Sequence, residues 1–213
     1  MATAKPLLDE DISDTQPHPG RRMSEAEFVA WCNDKTWAEW VDGEVIVMPP
    51  VTVEHGQLCG FLLVLIRMYT EDQDCGVVLS GSVQIRFGPQ RRRRSPDMFF
   101  ISEARREIIR ENHIEGAPDL ILEIVSPESV ARDWREKYVE YEKAGVREYW
   151  IVDPLSKKVE AYVLDRSRKY KLLAEREGAI RSKVLRGFLL KPAWLWQPRL
   201  PKVQAALREM GAR

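Results

Sequence analysis

The run "DLILEIV", residues 119–125, is apolar at nearly every position, yet it contains a carboxylate, Glu123, between Leu122 and Ile124. A short, continuous apolar run of this kind is typical of an interior strand that is covered on both faces. Burying an unpaired charge costs several kcal/mol or forces the group to become neutral. We therefore expect Glu123 to have a partner, which would be a cation, a metal ion or a network of hydrogen bonds.

The segments around this run predict further strands and helices. Ser24 and Glu27 resemble a capping box that opens a short helix, and Asp42-Gly43 in "WAEWVDGEVIVMPP" predicts a hairpin between two strands. The other predicted elements are a helix over 54–69, strand material over 76–87 interrupted at Gly81, a strand at 97–101, a helix over 128–143 ending at Gly145, a strand at 147–153 and a hairpin across Arg166 and Ser167. This order predicts an α/β fold in which helices flank one mixed sheet.

The domain boundaries follow from where this periodicity begins and ends. Residues 1–22 are polar and show no periodicity, so we expect a disordered N-terminal tail. Residues 23–197 are expected to form one domain, and residues 198–213 a helical C-terminal tail.

Composition excludes several classes of protein. Lys plus Arg equals Asp plus Glu at 33 each, so the overall charge does not indicate a polyanion as partner. Three cysteines without a C-x-x-C pair favour a reducing, cytoplasmic setting over a disulfide framework or a zinc site. The most apolar stretch, residues 58–69, is too short to span a bilayer. We expect neither a membrane partner nor an organic cofactor.

Three parts of the sequence together indicate a site. Asp97 follows a proline at the start of an apolar strand, Glu123 lies 26 residues further on, and Asp133, Lys137 and Tyr141 follow at steps of four on one helix face. Two neighbouring carboxylates repel each other unless a cation lies between them. Hard oxygen ligands favour Mg²⁺ or Mn²⁺, and an ammonium group nearby would orient a water or stabilise charge on a phosphate.

Four arginines, Arg91, Arg92, Arg93 and Arg94, directly precede this pattern in "QRRRRSPD". Such a run is usually a solvated loop, but arginines beside an acidic metal site are also what binding to a phosphate backbone requires. We keep both interpretations, with DNA as the expected partner in the second.

The quoted segments resemble a known family. "SPDMFFI" and "GAPDLILEIVSPESVARDWREKYVEYEKAGVREYWIVDP", with "WVDGEVIVMPP" and "EHGQL" upstream, are similar to the Uma2 family, also called DUF820. The resemblance covers about residues 24–190 and implies a restriction-endonuclease-like PD-(D/E)XK core that hydrolyses DNA phosphodiester bonds with Mg²⁺ or Mn²⁺.

Site residues follow from this resemblance by position. Asp97 and Glu123 would hold the metal, with the main-chain carbonyl of Ile124 and the carboxylate of Glu44 as further ligands. The lysine usually found two residues after the glutamate would fall on Val125 and is missing, so its role would pass to Lys137.

The remaining roles are less directly implied. His55 would be auxiliary, and so would Asp133 and Tyr141. A homodimer is expected by analogy with enzymes of this fold that cut both strands.

Two other functions stay open. The chain would be a nucleic-acid-binding module that kept the fold and lost cleavage, or an interaction protein whose acids form internal ion pairs. The binding module without cleavage stays open because the usual lysine is missing at position 125. The second requires that Lys137 or another cation only neutralises the buried carboxylates.

Overall fold

The computed structural model describes residues 22–33, 36–126 and 132–211, except for the side chains of Arg132 and Asp133. The predicted tail over residues 1–22 therefore lies outside the described part, apart from Arg22, which forms an isolated bridge with Glu44.

The helices and strands are as follows. The helices are α1 (Glu25–Trp31), α2 (Val53–Asp72), α3 (Tyr138–Ala144), α4 (Pro192–Leu195) and α5 (Val203–Glu209), and a π-helical turn (Arg132–Lys137) leads directly into α3. Two 3₁₀ segments span Gly88–Gln90 and Glu103–Ile108. The strands are β1 (Ala38–Val41), β2 (Glu44–Val47), β3 (Gly76–Ser80), β4 (Gln84–Phe87), β5 (Arg92–Arg94), β6 (Met98–Ser102), β7 (His113–Glu115), β8 (Leu120–Ile124), β9 (Glu148–Asp153), β10 (Lys158–Leu164), β11 (Tyr170–Leu172), β12 (Ile180–Arg181) and β13 (Leu189–Leu190).

Local chemistry sets several of these boundaries. The capping box at α1 is confirmed, because Ser24 accepts from the amide of Glu27 and the Glu27 carboxylate accepts from the amide of Ser24. Asp42 and Gly43 both have positive φ, at 50° and 96°, as the tight hairpin between β1 and β2 requires. Gly145 ends α3 in the left-handed conformation, which was also predicted.

The prediction of a single sheet is wrong, because the described residues form two large sheets and a small one. The first has the order β2-β1-β5-β4-β7 and the second the order β11-β10-β9-β8-β6-β3, while β12 pairs with β13. The strands β3 and β4, only three residues apart, belong to different large sheets. The interruption predicted at Gly81 is thus the point where the chain passes from one sheet to the other.

The second sheet is covered on both faces, as the apolar runs predict. Phe100 and Leu122 lie on the face that packs against α2, while Phe99 and Ile121 lie on the face that packs against Tyr141 of α3. The first sheet has its own small cluster with α1. Mixed sheets flanked by helices confirm the predicted α/β class.

The C-terminal segment joins the main core. Ala206 and Leu207 of α5 are buried in the same cluster as Leu62 and Leu65 of α2. Residues 203–209 are helical, and they pack on the domain instead of extending from it. Among the residues that the structure describes, no helix combines the length and apolar character that crossing a bilayer requires.

Candidate active site

Asp97 and Glu123 lie side by side on adjacent strands. Met98 of β6 faces Leu122 of β8 in antiparallel register, so the preceding and following residues form the next cross-strand pair. The amide of Ile124 donates to Asp97 Oδ2 at 2.6 Å, and the amide of Asp97 faces Glu123 Oε2 at 3.4 Å. The two carboxylates are therefore brought together, as the sequence predicts.

Glu123 meets its partners on the π-helical turn and α3. Lys137 Nζ and the Tyr141 hydroxyl each donate to Glu123 Oε1 at 2.8 Å. Glu123 and Lys137 are only 3% and 2% exposed. Burial and the Glu123 carboxylate raise the pKa of Tyr141 well above its ordinary value, which keeps its hydroxyl a donor. The carboxylate in the apolar strand thus has both a cation and a hydroxyl as partners.

A second buried acid, Glu39 of β1, also reaches this cluster, and it was not predicted. Its Oε1 lies 3.8 Å from Lys137 Nζ and accepts from the amide of Ser95 at 3.1 Å, while its Oε2 accepts from Arg94 at 2.7 Å. Burial raises the pKa of Glu39, but Lys137 and Arg94 outweigh burial and hold it at about 2. Arg94 also forms an ion pair with Glu140 at 2.7 Å.

Five charged side chains therefore form a continuous chain from one sheet to the other, here called the charge chain: Glu123, Lys137, Glu39, Arg94 and Glu140. Glu39 and Arg94 come from the first sheet, Glu123 from the second, and the other two from the turn and helix between them. The sequence contains a signal for Glu39, because it stands between Ala38 and Trp40 as Glu123 stands between two apolar residues.

His55 and an open cleft lie beside Asp97. Thr52 caps α2 on the amide of His55, and His55 Nε2 lies 3.1 Å from Asp97 Oδ1. His55 Nδ1 is buried and has no hydrogen-bond partner among the described residues. Both side chains line a cavity of about 500 Å³, here called the Asp97 cleft. Burial, with Asp97 nearby, raises the pKa of the Cys59 thiol in this cleft to about 11, so the thiol stays neutral.

Other predicted site residues lie elsewhere or act differently. Glu44 is exposed on β2, and no hydrogen bond or ion pair within the described ranges joins it to Asp97 or Glu123. Ile124 contacts Asp97 through its amide. Val125 is buried in the core cluster that contains Tyr141. The side chain of Asp133 lies outside the described residues.

The arginine run is mostly internal, so the interpretation as a solvated loop is wrong, while contact with phosphates stays a prediction. It forms β5, the middle strand of the first sheet, so alternate side chains point to opposite faces. Arg94 is buried in the charge chain, and Arg93 is buried on the other face against Glu25 at 2.8 Å. Arg92 pairs with Asp42 and Glu140. Only Arg91 is exposed, over the Trp40 ring.

The residues present fit a hard divalent cation. Asp97 and Glu123 offer carboxylate oxygens at neighbouring cross-strand positions, and Mg²⁺ is commonly bound by one or two carboxylates together with waters and substrate phosphates. No group of three or more His, Cys, Asp or Glu side chains suited to a metal occurs in the described part of the chain. The candidate site therefore rests on two protein carboxylates.

Comparison with known proteins identifies the fold and the family. Among solved structures, the chain resembles one from Anabaena variabilis described as "a putative nuclease belonging to DUF820", with a TM-score of 0.68 and 18% identity over 82% of this chain and 97% of that chain. No curated protein matches the sequence. A sequence model of the Uma2 family, described as "Putative restriction endonuclease", matches residues 25–193. The resemblance found in the sequence is confirmed, and the chain belongs to the Uma2 family.

Proposed function

We propose that this protein is a Mg²⁺- or Mn²⁺-dependent endonuclease that hydrolyses phosphodiester bonds of DNA. The observation that supports it best is the adjacency of Asp97 and Glu123, with Lys137 Nζ 2.8 Å from Glu123 and with Asp97 on the wall of an open cleft. Family membership points to the same class of reaction.

Asp97 and Glu123 would hold the metal, which when bound activates a water and polarises the scissile phosphate. His55 orients Asp97 through the 3.1 Å contact, and Tyr141 orients Glu123 through its hydroxyl. Lys137 supplies the positive charge that stabilises negative charge developing on the phosphate.

Glu39 positions Lys137 directly, and Arg94 does so through Glu39. Glu39 lies 3.8 Å from Lys137 Nζ, and Arg94 in turn fixes Glu39 at 2.7 Å. This arrangement stabilises the charged ammonium in a buried position and limits where it can point. We further propose that the protein acts in the cytoplasm and as a homodimer, the latter by analogy with other enzymes of this fold.

A second candidate function, a nucleic-acid-binding protein without cleavage, is favoured by one observation. Both carboxylates already have protein partners, because Asp97 contacts His55 and the Ile124 amide while Glu123 contacts Lys137 and Tyr141. A metal must replace or supplement these contacts in order to bind.

Titration calorimetry with Mn²⁺, run beside cleavage of plasmid DNA, separates the two functions. We expect wild type to bind Mn²⁺ and to cleave, Glu123→Gln to lose both, and the exposed-acid control Glu44→Gln to keep both. Circular dichroism verifies that each variant is folded. DNA binding without Mn²⁺ binding or cleavage in wild type would support the second function and refute the first.

A further inference from the structure

The size of the Asp97 cleft restricts what can enter it. Its volume of about 500 Å³ lies within the range of roughly 300–1,000 Å³ that encloses one drug-sized ligand. A nucleoside is a ligand of that size, whereas a base-paired duplex must remain outside.

The lining of the cleft suits a base better than a phosphate backbone. Trp37 lies at the cleft with about a third of its surface exposed, and the polar residues Asn33, Ser80, Ser82 and Gln84 also line it. Neither Lys nor Arg occurs among the lining residues that the structure describes. Backbone binding depends on such cations, whereas unstacked bases are bound by aromatic stacking and by hydrogen bonds to their edges.

The cleft is kept open by glycines. Gly56 and Gly60 of α2 and Gly81 after β3 all line it, and a Cβ atom added at any of the three would meet nothing within 4 Å. Gly in a helix interior is destabilising relative to Ala, so the two helical glycines leave space at the expense of helix stability.

We infer that the Asp97 cleft binds one unstacked nucleobase, so that the substrate is a single strand, or a duplex from which a nucleotide has been displaced. Since Asp97 and His55 line the same cleft, a base bound there would bring its own phosphate near Asp97. This inference rests on the proposed function for the identity of the reaction, but the binding itself does not require cleavage.

The test measures binding of fluorescein-labelled DNA by anisotropy, with the full chain and with EDTA present. The probes are a single-stranded oligonucleotide, the matched duplex, and the duplex with a single-stranded flap. We expect the single strand and the flap to bind more tightly than the duplex. Trp37→Ala should weaken their binding by about 5- to 150-fold, the usual range for losing one stacked base.

A matched pair on α2 tests the cavity without removing a contact. Gly60 borders both the cleft and the neighbouring groove beside Leu195, whereas the exposed Gln57 borders that groove and not the cleft, so Gln57→Leu controls for any effect that Gly60→Leu has through the groove. We expect Gly60→Leu to abolish the preference for single strands and Gln57→Leu to preserve it. Preference for the flap over the single strand would identify displaced nucleotides as the better substrate within the inferred class.

Two outcomes distinguish this inference from the proposed function. Binding of single strands that depends on Trp37 and Gly60, without cleavage in Mn²⁺, upholds the base-binding cleft and refutes the nuclease. Equal binding of duplex and single strand, unaffected by either substitution, overturns the cleft inference even if plasmid DNA is cleaved.

Discussion

At the scale of single residues, the site is defined by carboxylates in places where sequence patterns favour apolar side chains. Glu123 was found because it interrupts a long apolar run, and Asp97 because it follows a proline at the start of an apolar strand and matches the family motif. Glu39 was missed because "AEWV" is too short to indicate burial on both faces, and its partners Arg94 and Lys137 lie far away in the sequence. Its partner Arg94 was interpreted as part of a solvated run because the acids that pair with it also lie far away in the sequence. Contacts between distant segments are not encoded in local periodicity.

Glu39 predicts an acid-dependent loss of stability. Its pKa is held at about 2, below the ordinary value of 4.5, so its contribution is present above pH 4.5 and is lost as the pH falls toward 2. A difference of this size corresponds to about 3 kcal/mol. We expect Glu39→Gln to have a lower free energy of unfolding than wild type at pH 7. This difference in free energy should shrink by about 3 kcal/mol between pH 5 and pH 2.

Urea unfolding across this pH range measures the difference in free energy of unfolding between wild type and Glu39→Gln. The exposed acid Glu44→Gln serves as the control and should differ little from wild type at any pH. A difference for Glu39→Gln that stays constant from pH 7 to pH 2 would show that the carboxylate is not held in its charged form.

Tyr141 makes a second prediction at this scale. Removing its hydroxyl in Tyr141→Phe deletes the 2.8 Å hydrogen bond to Glu123, and hydrogen bonds to charged groups contribute about 1.5–3 kcal/mol. We expect a loss of stability in that range and a lower cleavage rate, measured by urea unfolding and by plasmid cleavage.

The control for this variant lies on the same helix. Tyr138→Phe removes a hydroxyl that makes no hydrogen bond to the residues described. Equal effects of the two substitutions would mean that the Tyr141 hydroxyl does not orient Glu123.

At the scale of elements, the sequence predicted what local chemistry controls. The capping box of α1, the Asp42-Gly43 hairpin and the end of α3 at Gly145 all depend on residues within one turn, and all are confirmed. The division into two sheets was not predicted, because β3 and β4 are both short strands and neither contains a local signal for the distant strands with which it pairs. The packing of α5 was missed because its apolar side chains are few and its partner, α2, lies far away in the sequence.

The position of α5 gives a prediction about the domain boundary. Leu207 is buried against α2, so Leu207→Ala should lower the free energy of unfolding by about 2–5 kcal/mol, as large-to-small changes in a core do. The neighbouring exposed substitution Arg208→Ala should change it by less than about 0.5 kcal/mol. Thermal and urea unfolding compare the two, and a Leu207→Ala value near that of Arg208→Ala would mean that α5 is dispensable.

At the scale of the whole molecule, the charge chain joins the two large sheets through the turn and helix between them. Arg94 is its central cation on the first sheet, paired with Glu39 and with Glu140 of α3. Removing one partner of a buried ion pair leaves charge uncompensated and costs about 3–5 kcal/mol. The same residue thus serves stability in the first sheet and the position of Lys137 in the site.

Arg94→Gln should therefore destabilise the protein by about 3–5 kcal/mol, and it should reduce cleavage more than the stability loss explains at temperatures where the variant is folded. Arg91→Gln, which removes only an exposed contact to the Trp40 ring, should cost less than about 1 kcal/mol. Unfolding curves measure the predicted losses of stability of both variants, and cleavage assays measure their activity. Normal cleavage by folded Arg94→Gln would separate the charge chain from the reaction.

The parallel pairing of β8 with β9 has a consequence for synthesis of the protein. Glu123 gains Lys137 and its neighbouring strand only when the chain through Asp153 is available, while Glu39 and Arg94 are translated much earlier. Domains emerge from the ribosome from the N-terminus, and non-local pairs form late in folding. A nascent chain that ends before β9 therefore lacks the strand that pairs with β8 on the side away from β6, and the edge of the strand that carries Glu123 stays uncovered until β9 has been made.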